Sequence, residues 1–169
     1  MTAASRTLAV TCGLPGVGKT TVAEAVADRI DGVLYRTDVV RKELLSEPEY
    51  TPEETRRVYE GLLARGRHTV EGGRNVVLDG TFSERQYREM ARQTAADADV
   101  TVDFRLVKVE CAEPVVRDRI RARTDDESDA DFDVYLLHKD SFDPVECEHV
   151  IVDNSDGLES TRRQVAENF

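Results

Sequence analysis

LAVTCGLPGVGKTT, residues 8–21, carries three structural signals in succession. Positions 8–12 form a short apolar run that includes β-branched Val10 and Thr11, as a buried strand requires. Gly13-Leu14-Pro15-Gly16-Val17-Gly18-Lys19-Thr20 then fits G-x-x-x-x-G-K-[ST] at every fixed position. Val22, Val26 and Ile30 follow at helical spacing. Strand, glycine loop and helix in that order make a phosphate cradle. Glycines let successive backbone N–H groups turn inward around an anion, and the helix start adds its positive dipole end. Lys19 is expected to reach the β- and γ-phosphates, and the Thr20 hydroxyl to ligate Mg²⁺. The stretch 13–21, Gly13, Leu14, Pro15, Gly16, Val17, Gly18, Lys19, Thr20 and Thr21, is the expected nucleotide contact, with Thr21 nearer the helix surface.

The chain of 169 residues fits one domain with a sizeable core, 40% of it hydrophobic, and no apolar run reaches membrane-spanning length. Residues 1–6 are short and polar, without the look of a secretory signal. Cys12, Cys111 and Cys147 follow no metal or redox spacing. Cys12 and Cys111 fall in strand-like runs as expected buried thiols, and a reducing, cytoplasmic setting fits them. The net charge of −11 comes from 34 acidic against 23 basic residues. Such a field repels extended nucleic acid. Lysine occurs only at Lys19, Lys42, Lys108 and Lys139. Acid-rich, lysine-poor surfaces are typical of proteins from salt-loving organisms.

Downstream, VLYR at 33–36 reads as a second strand, and TDVVRKELL at 37–45 as a helix capped by Thr37 or Asp38. Asp38 and Arg41, three apart, share a helical face. After a loop at 46–50, Thr51-Pro52-Glu53-Glu54 is a capping box with proline at the first helical position. It opens a helix over 52–71 with Val58, Leu62 and Val70 on its apolar side, ended by Gly72-Gly73. NVVLD at 75–79 lacks alternation, as in the centre of a parallel sheet. Ser83 and Gln86 read as another capping box, before a helix with Tyr87, Met90, Ala91, Thr94 and Ala98 on one face. Positions 100–111 read as a strand whose apolar phase slips at Leu106–Val107, which predicts a bulge or a strand buried only in its later half. Pro114 starts a helix with Val116 and Ile120 inward and Arg119 and Arg123 beside them. A polar loop over 124–133, a short helix over 131–140, a last strand at 149–152 and a closing helix over 158–169 complete the chain.

Strands alternating with helices predict an α/β fold, a parallel sheet covered on both faces. Ligands then bind beyond the carboxyl ends of the strands, marked by Cys12, Arg36, Asp79, Cys111 and Val152.

The order GLPGVGKTT, TDVVRKEL, VVLDGTF and an arginine-rich helix resembles small P-loop kinases over nearly the whole chain. The nearest likeness is to the kinase group related to zeta toxins and phage polynucleotide kinase, with gluconate and adenylylsulfate kinases more distant. The resemblance implies a three-layer sandwich with a five-stranded parallel sheet ordered 2-3-1-4-5 and a small lid near 119–133. It implies that Asp38 takes the proton of an acceptor hydroxyl, and that Arg41 binds the acceptor or steadies the transferred group. Asp79 would organise Mg²⁺, Thr81 would lie near the acceptor, and Arg119 and Arg123 would fold over the phosphates. Asn154, within 153–155, would lie where relatives pass the adenine. No second acidic residue follows Asp79, which disfavours a hydrolytic ATPase, and no N-K-x-D guanine signature occurs.

These signals combine into an ATP- and Mg²⁺-dependent phosphotransferase acting on a hydroxyl of a small molecule or nucleotide. Acceptor contacts are expected from 44–73. The rival readings are a kinase of polynucleotide 5′-hydroxyls and a nucleotide-binding switch without an acceptor. His68, His138 and His149 have no partners at meaningful spacing. The acidic run 125–133 lacks the glycine and terminal glutamate of a calcium loop. The charge yields a first prediction: activity and melting temperature rise between dilute and molar salt. Equal values of both in the two conditions would remove the high-salt reading.

Overall fold

The computed structural model describes residues 4–124 and 130–169; the expected loop at 124–133, the middle of the lid and most of the acidic run fall in part outside them. Five strands, β1 (Arg6–Cys12), β2 (Gly32–Arg36), β3 (Asn75–Asp79), β4 (Val102–Glu110) and β5 (Val150–Asp153), form one all-parallel sheet ordered β2-β3-β1-β4-β5. The order places β1 and β3 in the interior of the sheet, and both run almost wholly buried. Helices α1 (Lys19–Ile30) and α7 (Leu158–Asn168) cover one face. There Val22, Val26 and Val165 pack on Ala9, Val77 and Val107. Helices α3 (Pro52–Glu71) and α4 (Arg85–Asp97) cover the other, where Val58, Leu62, Val70, Tyr87 and Ala91 meet Leu8, Val10, Val76 and Leu78. The remaining helices, α2 (Thr37–Leu44), α5 (Glu113–Thr124) and α6 (Ala130–Ser141), stand around the carboxyl edge.

Two local expectations are corrected, and a third is decided between its alternatives. Neither Thr37 nor Asp38 caps α2: β2 runs into the helix without a connecting residue, so Arg36 takes the cap position and makes no side-chain cap bond. Ser83 and Gln86 form no capping box, because α4 starts at Arg85. Its first N–H donates instead to Asp143 Oδ2 (2.9 Å), a partner distant in sequence, while Gln86 turns to Glu84. β4 contains no bulge: its register with β1 is unbroken from Arg6↔Val102 to Cys12↔Lys108. The other expectation holds, a strand buried only in its later half: Leu106, Val107 and Val109 are its buried residues. Cys111 lies just past β4 and is half-buried, whereas Cys12 is fully buried and its thiol is pushed up to about 12 by burial, which keeps it inert.

Sequence periodicity also hides two buried charges. Arg88 is 4% exposed, and its guanidinium donates to the carbonyls of Phe82, Asp143 and Pro144. It thereby pins the chain after β3 to the segment before β5. Glu54 does more than close the expected capping box, in which Thr51 Oγ1 accepts from Glu54 N at 3.2 Å. Its carboxylate accepts the N–H groups of Glu49 and Tyr50, both at 2.7 Å, and the Arg41 guanidinium. Tyr50 holds φ at 57° and lays its ring over Arg41, 4.7 Å from centroid to guanidinium carbon.

Burial opposes ionisation of Glu54, but the two backbone donors and Arg41 outweigh it and hold its carboxyl below the ordinary value. A carboxyl depressed in the folded state stabilises above its unfolded pKa, and that contribution is lost as pH falls through the folded value. Glu54→Gln therefore lowers the melting temperature at pH 7, and the gap to the native chain closes as melts are taken down toward pH 3. A gap independent of pH would contradict this.

Candidate functional site

The phosphate loop turns from β1 into α1 at the carboxyl edge. Gly18 occupies the cap position of α1 with φ 83°, a left-handed conformation that L side chains rarely adopt. A Cβ there would stand 2.2 Å from Asn154 Nδ2, so glycine is required twice over. At Gly13, a Cβ would meet the Val109 carbonyl at 2.7 Å. These contacts press the loop against the ends of β4 and β5.

Beside the loop lies a cleft of about 450 Å³. Pro15, Gly16, Gly18, Lys19, Thr20 and Thr21 form one wall; Arg36, Thr37, Asp38, Asp79, Gly80, Thr81 and Arg123 form the rest. Of the residues singled out above, Lys19, Thr20, Asp38, Asp79, Thr81 and Arg123 thus share one space. Lys19 is held over the loop by a bond from Nζ to the Leu14 carbonyl (3.1 Å). Burial lowers its ammonium below the ordinary value, and Asp79 and Asp38 oppose that shift. Asp79, 5% exposed at the end of β3, accepts from Thr11 Oγ1 at 2.8 Å and from Thr20 Oγ1 at 2.9 Å. Arg36 stands between the acids, with Nε 3.8 Å from Asp79 and Nη2 3.8 Å from Asp38. The Arg36 Nε is buried without a hydrogen-bond partner among the described residues.

Other residues go elsewhere. Arg41 turns to Glu54 and Tyr50 and does not line the cleft. Arg119 does not line the cleft but stays beside the loop: it donates to the Asn154 carbonyl (2.7 Å) and to Cys111 Sγ (3.5 Å), and a Cβ on Gly18 would stand 3.7 Å from its Nη1. Gly13, Leu14 and Val17 border an adjoining hollow of about 510 Å³ with Lys108 and Lys139. Asn154 is buried beneath the loop. A hollow of about 500 Å³ between Arg92, Phe104 and His149 touches no loop residue. His68 and His138 are exposed and His149 half-buried.

Arg36, marked in the sequence only as the end of β2, belongs to no motif, yet the carboxyl end of a strand is where a charged residue faces the ligand. Among the described residues no group of three or more His, Cys, Asp or Glu converges on one point. A cation here would rest on few protein oxygens plus those of a phosphate. The Thr20 hydroxyl and the Asp79 carboxylate, both hard oxygen donors, fit Mg²⁺ on that basis. Among the described residues no helix is long and apolar enough to cross a membrane.

Over 136 residues, 73% of this chain, it is 35% identical to proteins of Mycobacterium tuberculosis and Mycobacterium bovis, both described as uncharacterized. The chain spans about a quarter of the length of these curated relatives, 27%. Among solved structures it superposes on a gluconokinase from Sinorhizobium meliloti with TM-score 0.66 at 20% identity, covering 99% of this chain and 92% of that one. It superposes equally on the APS kinase of Mycobacterium tuberculosis, solved with AMPPNP and APS, with TM-score 0.69 at 16% identity and 98% of each chain covered. At such identities the likeness is one of fold, and the fold is that of P-loop kinases. The loop, cleft and arginine helix described above, with all but the first two residues of β1, lie within residues 8–145, which match the family model described as AAA domain, and the chain belongs to that family.

Proposed function

We propose that the chain is an ATP-dependent phosphotransferase that moves the γ-phosphoryl group of ATP to a hydroxyl of a small molecule or nucleotide. The observation that carries this reading is the cleft in which Asp38 shares space with the phosphate loop, Lys19 and Arg123. A binding switch needs the loop alone; a carboxylate beside it serves an incoming alcohol.

In this reading the backbone over 13–20 holds the triphosphate. Lys19 exchanges its bond to the Leu14 carbonyl for phosphate oxygens, a trade that its partial dehydration favours. Magnesium, held by Thr20 and Asp79 with the phosphates, supplies positive charge when bound. The acceptor oxygen bonds to the γ-phosphorus as the bond to the β,γ-bridging oxygen breaks, and ADP leaves with that oxygen. Asp38, with a side chain 76% exposed, accepts the alcohol proton. Lys19 and Arg123 offset charge on the transferred group, and positioned cations are the main protein contribution in such transfers. Arg36 lines the cleft with a side chain 40% exposed, and its guanidinium adds positive charge toward ligand oxygen while its buried Nε faces Asp79. Arg41, carried over by resemblance as an acceptor contact, serves in this chain to fix α2 and the loop before α3. Small acceptors suit a cleft of about 450 Å³, and the net charge of −11 disfavours a long polynucleotide track.

Two variants test the reading, assayed by labelled-ATP transfer to sugars, sugar acids, nucleosides and oligonucleotides side by side. Lys19→Ala lowers turnover by at least about a hundredfold, because the charge on the transferred group loses its main partner. Near-native turnover would refute the role of Lys19. Asp38→Asn keeps ATP affinity within about threefold and lowers transfer by roughly 10²–10⁴-fold. Unchanged transfer to the true acceptor would refute the role of Asp38. Transfer to oligonucleotides alone would favour the polynucleotide reading, and ATP binding without any acceptor would favour the switch.

A further inference from the structure

Asn154 follows β5 and is 5% exposed, yet every polar atom it carries is engaged. Its backbone N–H donates to the Glu110 carbonyl at 2.8 Å, which ties it to the end of β4. Its carbonyl accepts Arg119 Nη2 at 2.7 Å, which ties it to α5. Its side-chain Nδ2 donates to the Val17 carbonyl at 2.9 Å, inside the phosphate loop. Its Oδ1 accepts the Thr161 hydroxyl at 2.6 Å, from α7. The amide orientation follows from this network: Val17 offers only an acceptor, so the NH₂ end must face the loop and Thr161 must donate to the other end.

The contact falls where the loop changes hand. Val17 is 2% exposed, and Gly18 beyond it holds φ 83°. The Asn154 amide fills the space that a Cβ on Gly18 would need. We infer that Asn154 is a positioning residue for nucleotide binding, which sets the curvature of the phosphate loop from beneath and acts on the triphosphate rather than on the base. This rests on the reading of the loop as a triphosphate site. It replaces the base contact that the resemblance implies, since both ends of the side chain are committed to protein partners. Thr161 holds the amide with its NH₂ toward Val17. The same residue carries Arg119, so the arginine helix and the loop share one anchor.

Calorimetry on the full chain with magnesium-ATP and, separately, magnesium-tripolyphosphate tests this. Asn154→Ala is expected to weaken both ligands by about tenfold, the loss of one buried hydrogen bond's worth of loop order. In turnover assays it raises KM for ATP while kcat stays within about twofold. Thr161→Val weakens both ligands less, by several-fold, while Thr161→Ser, which keeps the hydroxyl, stays within about twofold of the native chain. The Thr161 pair carries the test if Asn154→Ala fails to fold. Weakening of ATP with tripolyphosphate unaffected would make Asn154 a base contact and overturn the inference. So would native affinity in Asn154→Ala with only a lowered melting temperature, or equal affinities of Thr161→Val and Thr161→Ser. A native chain that binds neither ligand overturns the functional reading itself; one that binds both, matched by Asn154→Ala, overturns the inference alone.

Discussion

A buried carboxylate at the end of β3 constrains the rest of the carboxyl edge. Asp79 lies between β2 and β1, almost shielded from water, and an uncompensated charge in such a place costs several kcal/mol, on the order of 3–5 when a buried partner is lost. The compensation comes from three directions. Thr11 donates from β1, Thr20 from the first turn of α1, and Arg36 approaches from the end of β2. Satisfying Asp79 therefore fixes the height of α1 above the sheet and the direction in which β2 delivers Asp38. The side chains that stabilise the charge are the ones that define the cleft.

The loop is braced from the opposite side by Asn154, so with Thr20 bonded to Asp79 it is held between β3 and the segment after β5 rather than resting on β1 alone. Such bracing matters because a loop with left-handed residues at Gly16 and Gly18 has little intrinsic preference for one shape. Preorganised N–H groups bind an anion without the ordering cost that a mobile loop would incur at the moment of binding. Glu54 gives the Asp38 side of the cleft a comparable brace: by taking Glu49, Tyr50 and Arg41 together it fixes α2, the helix that carries Asp38.

The fold was largely legible because its signals are local. The motif over 13–20, the unalternating run 75–79 and the proline start of α3 each follow from nearest-neighbour chemistry. Errors arose where a long-range partner replaced a local one. Asp143 caps α4 from across the molecule, so the Ser83–Gln86 pattern went unused. The phase slip in β4, by contrast, does signal burial confined to the later half of a regular strand. In the cleft, positions dictated by the phosphate motif were readable in advance. Directions of long side chains were not: Arg41 stands at the expected place on its helix, yet Glu54 draws it from the cleft, while Arg119 stays beside Gly18 on the Asn154 carbonyl. Arg36 was hidden because a single arginine at a strand end resembles any surface arginine until its neighbours are known.

If backbone N–H groups between β1 and α1 grip a triphosphate, their own signals must respond to it. Amide chemical shifts of the full chain, followed by NMR as magnesium-ATP is added, test it most directly. The largest changes are expected at Gly16, Gly18, Lys19 and Thr20, smaller ones at Asp38, and none around Arg92 and His149. Shifts confined to that distant hollow, or none at all at saturating nucleotide, would contradict it.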